Sequence, residues 1–282
     1  MTLIKHMIFD FNIHLPCNLT QDTQGKLSDE AQLDVAALGQ CYATHRPLLQ
    51  QQVSSGNFML FNQDLPFGAE PLDIWVRQVQ QDFPAAAFTQ LLDFRRSAIE
   101  PALDRLRAAG VQGVKFHSYV QKIADTDIPM AVQAARAAAE RGLFICIDAS
   151  YGTTWMYEHD NLKLAAAVIR EVDNVPVIIL HSGGARRWEA MLLALESPNV
   201  YLETSFTLPY YEGSSIETDL AFIYRKIGIA RVLYASDFPY VGLDDARACM
   251  QRFLQRHEFS ADEQASMLGQ NAQRMMASLS AR

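Results

Sequence analysis

Residues 9–16 read FDFNIHLP, and they follow the segment IKHMI, which begins at Ile4. The sequence predicts a first strand over Ile4–Phe11. A dinucleotide-binding fold would carry a glycine-rich phosphate loop after this strand, but an aspartate, an asparagine and a histidine stand there instead. Because side chains two residues apart on a strand point to the same side, we expect Asn12 and His14 to face the same way. The stretch counts against dinucleotide binding and indicates a polar site at a strand end.

Seven more short apolar runs follow along the chain. Most are apolar throughout, which is typical of parallel strands that are covered on both faces. They are Asn57–Asn62, a run within Ala85–Phe94, Val111–Phe116, Leu143–Ile147, Val175–Leu180, Val200–Glu203 and Val232–Ala235. Apolar residues recur at helical spacing between these runs, for example at Ile128, Val132, Ala135 and Ala139. Regular alternation of strands and helices predicts an α/β fold with a parallel sheet, and eight such units favour a closed (β/α)8 TIM barrel.

We expect a single domain that spans residues 1–282, because no low-complexity linker divides the chain. The connection Cys17–Gly56 is long for a strand-to-helix link, so the sequence predicts an insertion after strand one, with a helix over Ser28–Gln52. Ser260 has a glutamate three residues later, which is typical of a capping box at a helix N-terminus. This pattern predicts a C-terminal helix over Ser260–Leu279.

The net charge and the cysteine content indicate which partners and which cellular compartment to expect. The formal net charge is −8 and the isoelectric point is near 5.4, which counts against nucleic acid or an anionic membrane as the main partner. We therefore expect a small-molecule substrate, and the sequence leaves homo-oligomer formation open. No signal-peptide pattern precedes Asp10, which predicts a cytoplasmic protein. The cysteines show no disulfide-like spacing, so we expect reduced thiols at Cys17, Cys41, Cys146 and Cys249.

Polar residues follow directly after most of the predicted strands. In a barrel, such positions line the active site at the C-terminal ends of the strands. The candidates are Asn12 and His14 after strand one, Lys115 and His117 at the end of strand four, Asp148 after strand five, His181 after strand six and Asp237 after strand eight. Imidazole and carboxylate groups are the usual ligands of a hydrolytic metal ion. A lone aspartate after a strand is also a common helix N-cap, and a lone histidine is often structural.

Six motifs occur in the order seen in a known family. They are FDFNIHL, GVQGVKFH, VPVIILHSGG, NVYLETS, VLYASDFP and MLGQNAQRM, and they extend from Ile8 to about Met276. With these motifs the chain resembles the amidohydrolase-related (amidohydrolase 2) branch of the amidohydrolase superfamily. That branch includes aminocarboxymuconate-semialdehyde decarboxylase-like and pyrone-dicarboxylate lactonase-like proteins. The resemblance implies a (β/α)8 barrel and usually one divalent metal ion, often zinc. It does not specify a substrate.

The chain departs from the family pattern at Asn12 and Asp148, where the family usually has histidine. The resemblance implies that His181 acts on the substrate or on metal-bound water, and that Asp237 is a metal ligand or general base. Two alternatives follow. In one, Asn12, His14, Asp148 and Asp237 hold a metal ion, and their oxygen atoms favour manganese or magnesium over zinc. In the other, the protein is metal-free and His14, Asp148, His181 and Asp237 act as acid–base groups.

Five side chains are candidates for substrate binding. The lysine either binds a substrate carboxylate or forms a structural ion pair. The arginine either clamps an anionic substrate or lies in the first turn of a solvated helix. The aromatic side chains either line the pocket or pack at the surface. The candidates are Lys115, His117, Tyr151, Trp155 and Arg186.

These features predict a hydrolase that acts on a small carboxylated or cyclic, lactone-like substrate. A metal ion or Asp237 would activate water, and His181 would polarise the carbonyl or protonate the leaving group. One alternative is a non-oxidative decarboxylase on the same barrel. Another is a catalytically silent barrel that binds a ligand, which the missing histidines favour and the retained His14, His181 and Asp237 oppose.

Overall fold

A computed structural model describes residues 8–15, 35–61, 71–151 and 154–280 of the chain. Its eight strands form one sheet in which every strand is parallel to its neighbours and spatial order follows chain order. The strands are β1 (Phe9–Ile13), β2 (Ser55–Leu60), β3 (Ala87–Leu91), β4 (Gly113–Phe116), β5 (Phe144–Ile147), β6 (Val177–Ile179), β7 (Val200–Glu203) and β8 (Val232–Leu233). The predicted (β/α)8 barrel is confirmed, and each observed strand overlaps its predicted counterpart.

Helices separate the strands and cover the outside of the sheet. They are α1 (Val35–Gln52), α2 (Leu72–Asp82), α3 (Ile99–Ala108), α4 (Ser118–Gln121), α5 (Ile128–Glu140), α6 (Asn161–Glu171), α7 (Arg187–Glu196), α8 (Thr207–Tyr210), α9 (Ser215–Ile227), α10 (Leu243–Arg256), α11 (Ala261–Ala265) and α12 (Asn271–Ser280). The predicted C-terminal helix is confirmed: Ser260 and Glu263 form the capping box, and the π-helical turn Ser266–Gln270 joins α11 to α12. Residues 17–34 of the predicted insertion lie outside the described residues.

Two apolar layers hold the barrel. The larger layer lies between the sheet and the helices, and the smaller one fills the barrel interior with side chains that include Phe9, Phe11, Phe144 and Ile178. Gly113 on β4 makes room for the Phe144 ring, because a Cβ atom at residue 113 would lie 2.2 Å from that ring. The interior is therefore a packed core, and space for a ligand lies at its ends.

The barrel closes between β1 and β8 through a few contacts rather than a full ladder. The amide of Phe11 donates to the carbonyl of Tyr234 at 2.9 Å, and the amide of His14 donates to the carbonyl of Phe238 at 2.6 Å. The Asp10 carboxyl adds two more bonds, since its Oδ1 accepts from the amide of its neighbour Asn12 (3.1 Å) and from the amide of Ser236 beyond β8 (2.9 Å). Asp10 thus ties the two ends of the sheet together.

A β-bulge lies in β1. Asp10 pairs with Gly56 and Ile13 pairs with Phe58, so β1 has one residue more than β2 over this interval. Before the bulge, Phe9 and Phe11 fill the barrel interior. The extra residue reverses the alternation of side chains after it. Asn12 and His14 therefore both face the C-terminal end of the barrel.

The cysteines correct one prediction. Cys146 and Cys249 are buried free thiols, as expected. Cys41 is disulfide-bonded, so the prediction of a reduced thiol at this position was wrong. Cys17 lies outside the described residues. Among the described residues, no helix combines the length and the apolar character that a membrane span requires.

Candidate active site

Buried polar side chains crowd the C-terminal ends of the strands, which we call the barrel mouth. Each is at most 8% exposed. The mouth brings together the five residues that the sequence placed at the site centre, together with Lys115 and His117, and adds others to which no role was assigned. The polar members are Asp10, Asn12, His14, Lys115, His117, Asp148, His181, Glu203, Ser205 and Asp237, and one apolar residue, Phe61, lies among them.

Asp148, which follows β5, is the hub of the mouth. Its Oδ2 atom lies 3.1 Å from Nε2 of His181, 3.3 Å from Nζ of Lys115 and 3.5 Å from Nε2 of His117. Its Oδ1 atom accepts hydrogen bonds from the amide and the hydroxyl of Ser150. Burial by itself would raise the pKa of Asp148, but the three nitrogen groups that face its carboxylate outweigh burial and hold the pKa well below 3.8. Asp148 is therefore an ionised carboxylate.

His181 is a cation, because both of its ring nitrogens face acceptors. Nε2 faces the Asp148 carboxylate, and Nδ1 lies 3.0 Å from the hydroxyl of Ser205. That hydroxyl has one hydrogen and donates it to Oε2 of Glu203 at 2.9 Å, so Nδ1 must be the donor to Ser205. Burial lowers the pKa of His181, but the charge and hydrogen bond of Asp148 raise it more, with smaller contributions from Asp237 and Glu203, to about 9.

The loop that carries His181 is held in an unusual backbone conformation. Residues 181–184 all have positive φ angles, between 50° and 81°. A Cβ atom at Gly184 would lie 2.1 Å from the carbonyl oxygen of Ser150, so glycine is required there. Glu203 fixes the loop from below, because its Oε2 atom accepts a hydrogen bond from the amide of His181 at 3.1 Å. Glu203 and Ser205 thus position His181. The only sequence signal for this role was that strand seven ends in polar residues.

His117 is neutral, in contrast to His181. Burial is the main reason that its pKa falls to about 4; the charge of Lys115 lowers it further, and Asp148 opposes the shift. A single proton on a neutral imidazole is attracted to the Nε2 position, which faces Asp148. The lone pair then lies on Nδ1, which is buried and has no hydrogen-bond partner among the described residues. The mouth therefore contains an unused acceptor beside Lys115.

Phe61, at the end of β2, forms an apolar wall that the sequence did not identify as part of the site. Its ring centroid lies 5.5 Å from that of His14 and 5.8 Å from that of His117. Nζ of Lys115 lies 5.3 Å from the same centroid. The ring thus separates the His14 side of the mouth from the Lys115 side. The available sequence signal was the alternation of side chains along β2. Asn57 and Met59 point inward, so Phe61, two residues further, is expected to point inward as well.

The His14 side of the mouth carries the more accessible carboxylate. Nε2 of His14 lies 3.5 Å from Oδ1 of Asp237, whose side chain is 11% exposed against 3% for that of Asp148. Asn12 lies on the same strand as His14 and donates through Nδ2 to Ser205 at 3.3 Å. Because Ser205 has already donated its hydrogen, Asn12 must present its amide nitrogen to it. Oδ1 of Asn12 is then a buried acceptor with no partner among the described residues.

The residues at the mouth do not fit the divalent ion that the family resemblance implies. A cation at Oδ2 of Asp148 would lie against the charges of Lys115 and His181. Asn12 turns its amide nitrogen toward Ser205. Zinc sites have at least three protein ligands, and the described residues contain no group of three or more His, Cys, Asp or Glu side chains arranged to hold a metal. The expected ligands divide instead into a His14–Asp237 pair and an Asp148 cluster.

The other three substrate-binding candidates have partners of their own. The hydroxyl of Tyr151 donates to Asp160 (2.8 Å) and accepts from the amide of Leu162 (2.6 Å). Arg186 pairs with Asp160 and Glu189 and packs over the Tyr151 ring. Trp155 is 52% exposed and stacks on His159. The structure thus joins Lys115 and His117 at Asp148, and it joins Tyr151 and Arg186 to each other at Asp160.

Comparison with known proteins places this site in context. Residues 71–276 match the family model of the amidohydrolases. No curated protein sequence matches the chain.

Solved structures share the fold over nearly the whole chain. One is a Pseudomonas putida protein described as a candidate 2-pyrone-4,6-dicarboxylic acid hydrolase, with 17% identity, a TM-score of 0.63 and coverage of 96% of this chain and 98% of that one. Another is 2,6-dihydroxybenzoate decarboxylase from Rhizobium, with 13% identity, a TM-score of 0.59 and coverage of 97% and 98%. A third is 5-carboxyvanillate decarboxylase from Sphingomonas paucimobilis, with 14% identity, a TM-score of 0.60 and coverage of 97% and 99%. At these identities the likeness is one of fold.

Proposed function

Because the chain belongs to the amidohydrolase family of barrel enzymes, we propose that it hydrolyses a small carboxylated, lactone-like substrate without a metal ion. Asp237 is the general base that activates water. His181 is the fixed cation that stabilises the oxyanion, and Lys115 binds the substrate carboxylate.

One observation carries this proposal: the mouth is divided into an anionic side and a cationic side. Asp237 lies beside His14 on one side, and Lys115 and His181 meet at Asp148 on the other. The two sides are close enough for the charge of Asp237 to raise the pKa of His181. Hydrolysis needs a base for water and a positive charge for the oxyanion, and both must reach one carbonyl group.

In the proposed reaction, Asp237 takes a proton from a water molecule as its oxygen attacks the substrate carbonyl. The carbonyl π electrons move to oxygen, and the imidazolium of His181 stabilises that oxyanion in a buried setting where charge interactions are strong. When the oxyanion collapses, the ring C–O bond breaks and Asp237 returns its proton to the leaving oxygen. The products are a carboxylate and an alcohol, with one proton released as the new acid ionises.

Asn12 has a defined place in this scheme. Its Oδ1 atom is a buried acceptor without a partner among the described residues, and it lies on the same strand as His14. A buried acceptor that stays unsatisfied is destabilising, by about 1–3 kcal/mol. We assign Oδ1 to the attacking water, which would donate one hydrogen to Asn12 and the other to Asp237. The amide thus orients the water for attack.

A panel of lactones and carboxylated esters tests the proposed function. The protein is purified in chelator-treated buffer, and release of acid is followed for wild type and for the Asp237→Asn variant. Hydrolysis by wild type and its loss in the variant would support the proposal. Release of carbon dioxide from aromatic acids would instead indicate a decarboxylase. Tight binding without turnover of any compound would indicate a silent barrel.

We also infer a cytoplasmic location, in which the buried thiols of Cys146 and Cys249 stay reduced. The disulfide of Cys41 favours an oxidising compartment, because disulfides are rare in cytosolic proteins. Cell fractionation, with thiol titration of the recovered protein, decides between the two.

A further inference from the structure

Helix α7 is apolar on the side that points away from the barrel as well as on the side that covers it. Its fully buried residues are small, Ala190 and Ala194. Its large side chains Trp188, Leu192 and Leu195 recur at spacings of four and three residues, so they share one face, and they are 41% to 57% exposed. A helix that only covers a sheet is polar on its outer side, so α7 has a face suited to a second contact.

Helix α9 extends this apolar surface. Phe222 on α9 is 53% exposed, and its ring centroid lies 5.9 Å from that of Trp188. Arg187 links the two helices, because its Nε donates to Oδ2 of Asp219 at 2.9 Å. We call the four exposed side chains Trp188, Leu192, Leu195 and Phe222 the α7–α9 face. The face is one continuous surface that two packed helices hold in place, and the proposed reaction uses none of its residues.

We propose that the α7–α9 face binds a second copy of this chain and forms a twofold-symmetric dimer. The twofold axis runs parallel to the helices and passes between Trp188 and Phe222, so that α7 of one copy packs on α9 of the other. Trp188 of each copy then meets Phe222 of the second copy, and four aromatic rings form the centre of the contact. Aromatic side chains are enriched at the centres of protein interfaces.

The size of the face fits a dimer. Four large side chains that are each about half exposed present on the order of 400 Å² of apolar surface. A specific interface covers about 800 Å² on each partner, and somewhat more than half of that area is apolar. The face therefore supplies the apolar area that one partner contributes, and the polar side chains around it form the rim.

The charges beside the face favour a second copy over other partners. Glu196 lies one helical turn beyond Leu192, and Lys226 lies one turn beyond Phe222, so each continues the exposed surface of its helix. Neither has an ion-pair partner among the described residues. Because α7 faces α9 of the second copy, each Glu196 meets a Lys226 across the contact. A surface that carries both members of such a pair is self-complementary, as a twofold interface requires.

Sedimentation of the full chain tests the dimer. At micromolar concentration wild type should sediment with twice the chain mass of 31.6 kDa. Leu192→Glu places a charge within the apolar contact and should weaken association by at least about a hundredfold. Ile74→Glu is the matched control. Ile74 is 55% exposed, against 57% for Leu192, but it lies on α2 at the opposite side of the barrel, so this variant should remain dimeric.

Two charge reversals test the twofold arrangement independently of Leu192. Glu196→Lys and Lys226→Glu should each weaken self-association, because like charges then meet across the contact. A mixture of the two variants should form a mixed dimer, since the reversed charges are again opposite. Co-purification of untagged Lys226→Glu with tagged Glu196→Lys measures this dimer, and a mixture of tagged and untagged Glu196→Lys is its control.

The results that contradict the proposal are distinct. A wild-type monomer throughout the micromolar range would overturn it, and binding of that monomer to phosphatidylcholine vesicles would assign the face to a lipid surface. A dimer that persists in folded Leu192→Glu would place the contact elsewhere on the molecule. A dimer that Leu192→Glu disrupts, but whose two charge variants do not co-purify, would overturn the pairing of Glu196 with Lys226 and with it the twofold arrangement.

Discussion

Nε2 of His181 lies 3.1 Å from Oδ2 of Asp148, and both side chains are about 3% exposed. Asp148 stands where the family resemblance implies a histidine ligand, and the aspartate changes what the mouth can hold. An imidazole there would compete for a metal ion, whereas the carboxylate attracts protonated nitrogens. Where the family resemblance implies a bound metal cation, this protein therefore supplies its own cation, the imidazolium of His181.

The first prediction concerns Asp148→Asn. Removing the carboxylate should lower the pKa of His181 from about 9 toward its ordinary value of 6.5, because Asp148 is the main cause of the increase. The folded protein holds this proton up to about pH 9, and the unfolded chain releases it near 6.5. The stabilisation is therefore complete below 6.5 and is lost as the pH rises to about 9. NMR titration of the His181 ring, with unfolding measured at both ends of this window, tests the effect.

Asp104→Asn is the matched control for this variant. Asp104 is also paired with a cation, Arg141, but its side chain is 64% exposed. Asp104→Asn should leave the His181 titration unchanged and change the stability little, because solvent screens an exposed ion pair. Asp148→Asn should cost about 3–5 kcal/mol at neutral pH, since it leaves buried cations without their partner. A His181 titration that stays near pH 9 in Asp148→Asn would contradict the assigned cause.

The second prediction concerns the base. Asp237→Asn should lower kcat by about a hundredfold or more, because an amide does not accept the proton of the attacking water. KM should change little, since Asp237 does not bind the substrate carboxylate in the proposed reaction. The melting temperature should stay within about 3 °C of wild type, because the side chain is the most exposed carboxylate of the mouth. Unchanged turnover in a folded variant would remove Asp237 from the mechanism.

The sequence was sufficient to predict the barrel because its strands are short, apolar and separated by helices. Val200–Glu203 was predicted to the residue, and the C-terminal helix was recognised from the spacing of Ser260 and Glu263. These features depend on neighbouring residues in the chain, where periodicity and capping chemistry act. Polar residues at strand ends were likewise sufficient to predict that His181 and Asp237 lie at the mouth; their catalytic roles stay a prediction.

The rest of the site depends on residues that are distant in sequence. The bulge in β1 is a property of its pairing with β2, and the wall formed by Phe61 depends on which way β2 faces. Glu203, at the end of β7, accepts a hydrogen bond from the backbone amide of His181, which follows β6. The disulfide of Cys41 was not predicted either, because the spacing of the cysteines along the chain gave no signal of it.

The third prediction concerns metal content. Protein purified without added metal should contain well under one equivalent of zinc, manganese or magnesium by elemental analysis, and a chelator should leave hydrolysis unchanged. The reason is the charge of Lys115 and His181 at the Asp148 carboxylate. The double variant Asn12→His with Asp148→His restores the family histidines and should raise zinc affinity. Stoichiometric zinc that resists chelation in wild type would show that this interpretation of the mouth is wrong.

The last prediction concerns Asp10, which joins β1 to the segment that carries Asp237. Its Oδ1 atom accepts from the amides of Asn12 and Ser236, the latter directly before Asp237. Asp10→Leu removes this acceptor and leaves two buried N–H groups unsatisfied, which should cost about 2–5 kcal/mol and also lower kcat. Asp10→Asn keeps an acceptor oxygen in place and should preserve most of the stability and most of kcat.

The pH dependence of the asparagine variant tests whether the buried Asp10 carboxyl binds a proton in the folded protein. Burial raises the pKa of Asp10 from 3.8 to about 7, so the folded protein binds an extra proton between these values. Wild type therefore loses stability at this group as the pH rises from 3.8 to about 7, whereas the asparagine variant has no proton to lose. The melting temperature of Asp10→Asn relative to wild type should rise across this window. A constant difference would mean that Asp10 titrates normally, and full activity in Asp10→Leu would mean that its bonds to Asn12 and Ser236 do not position Asp237.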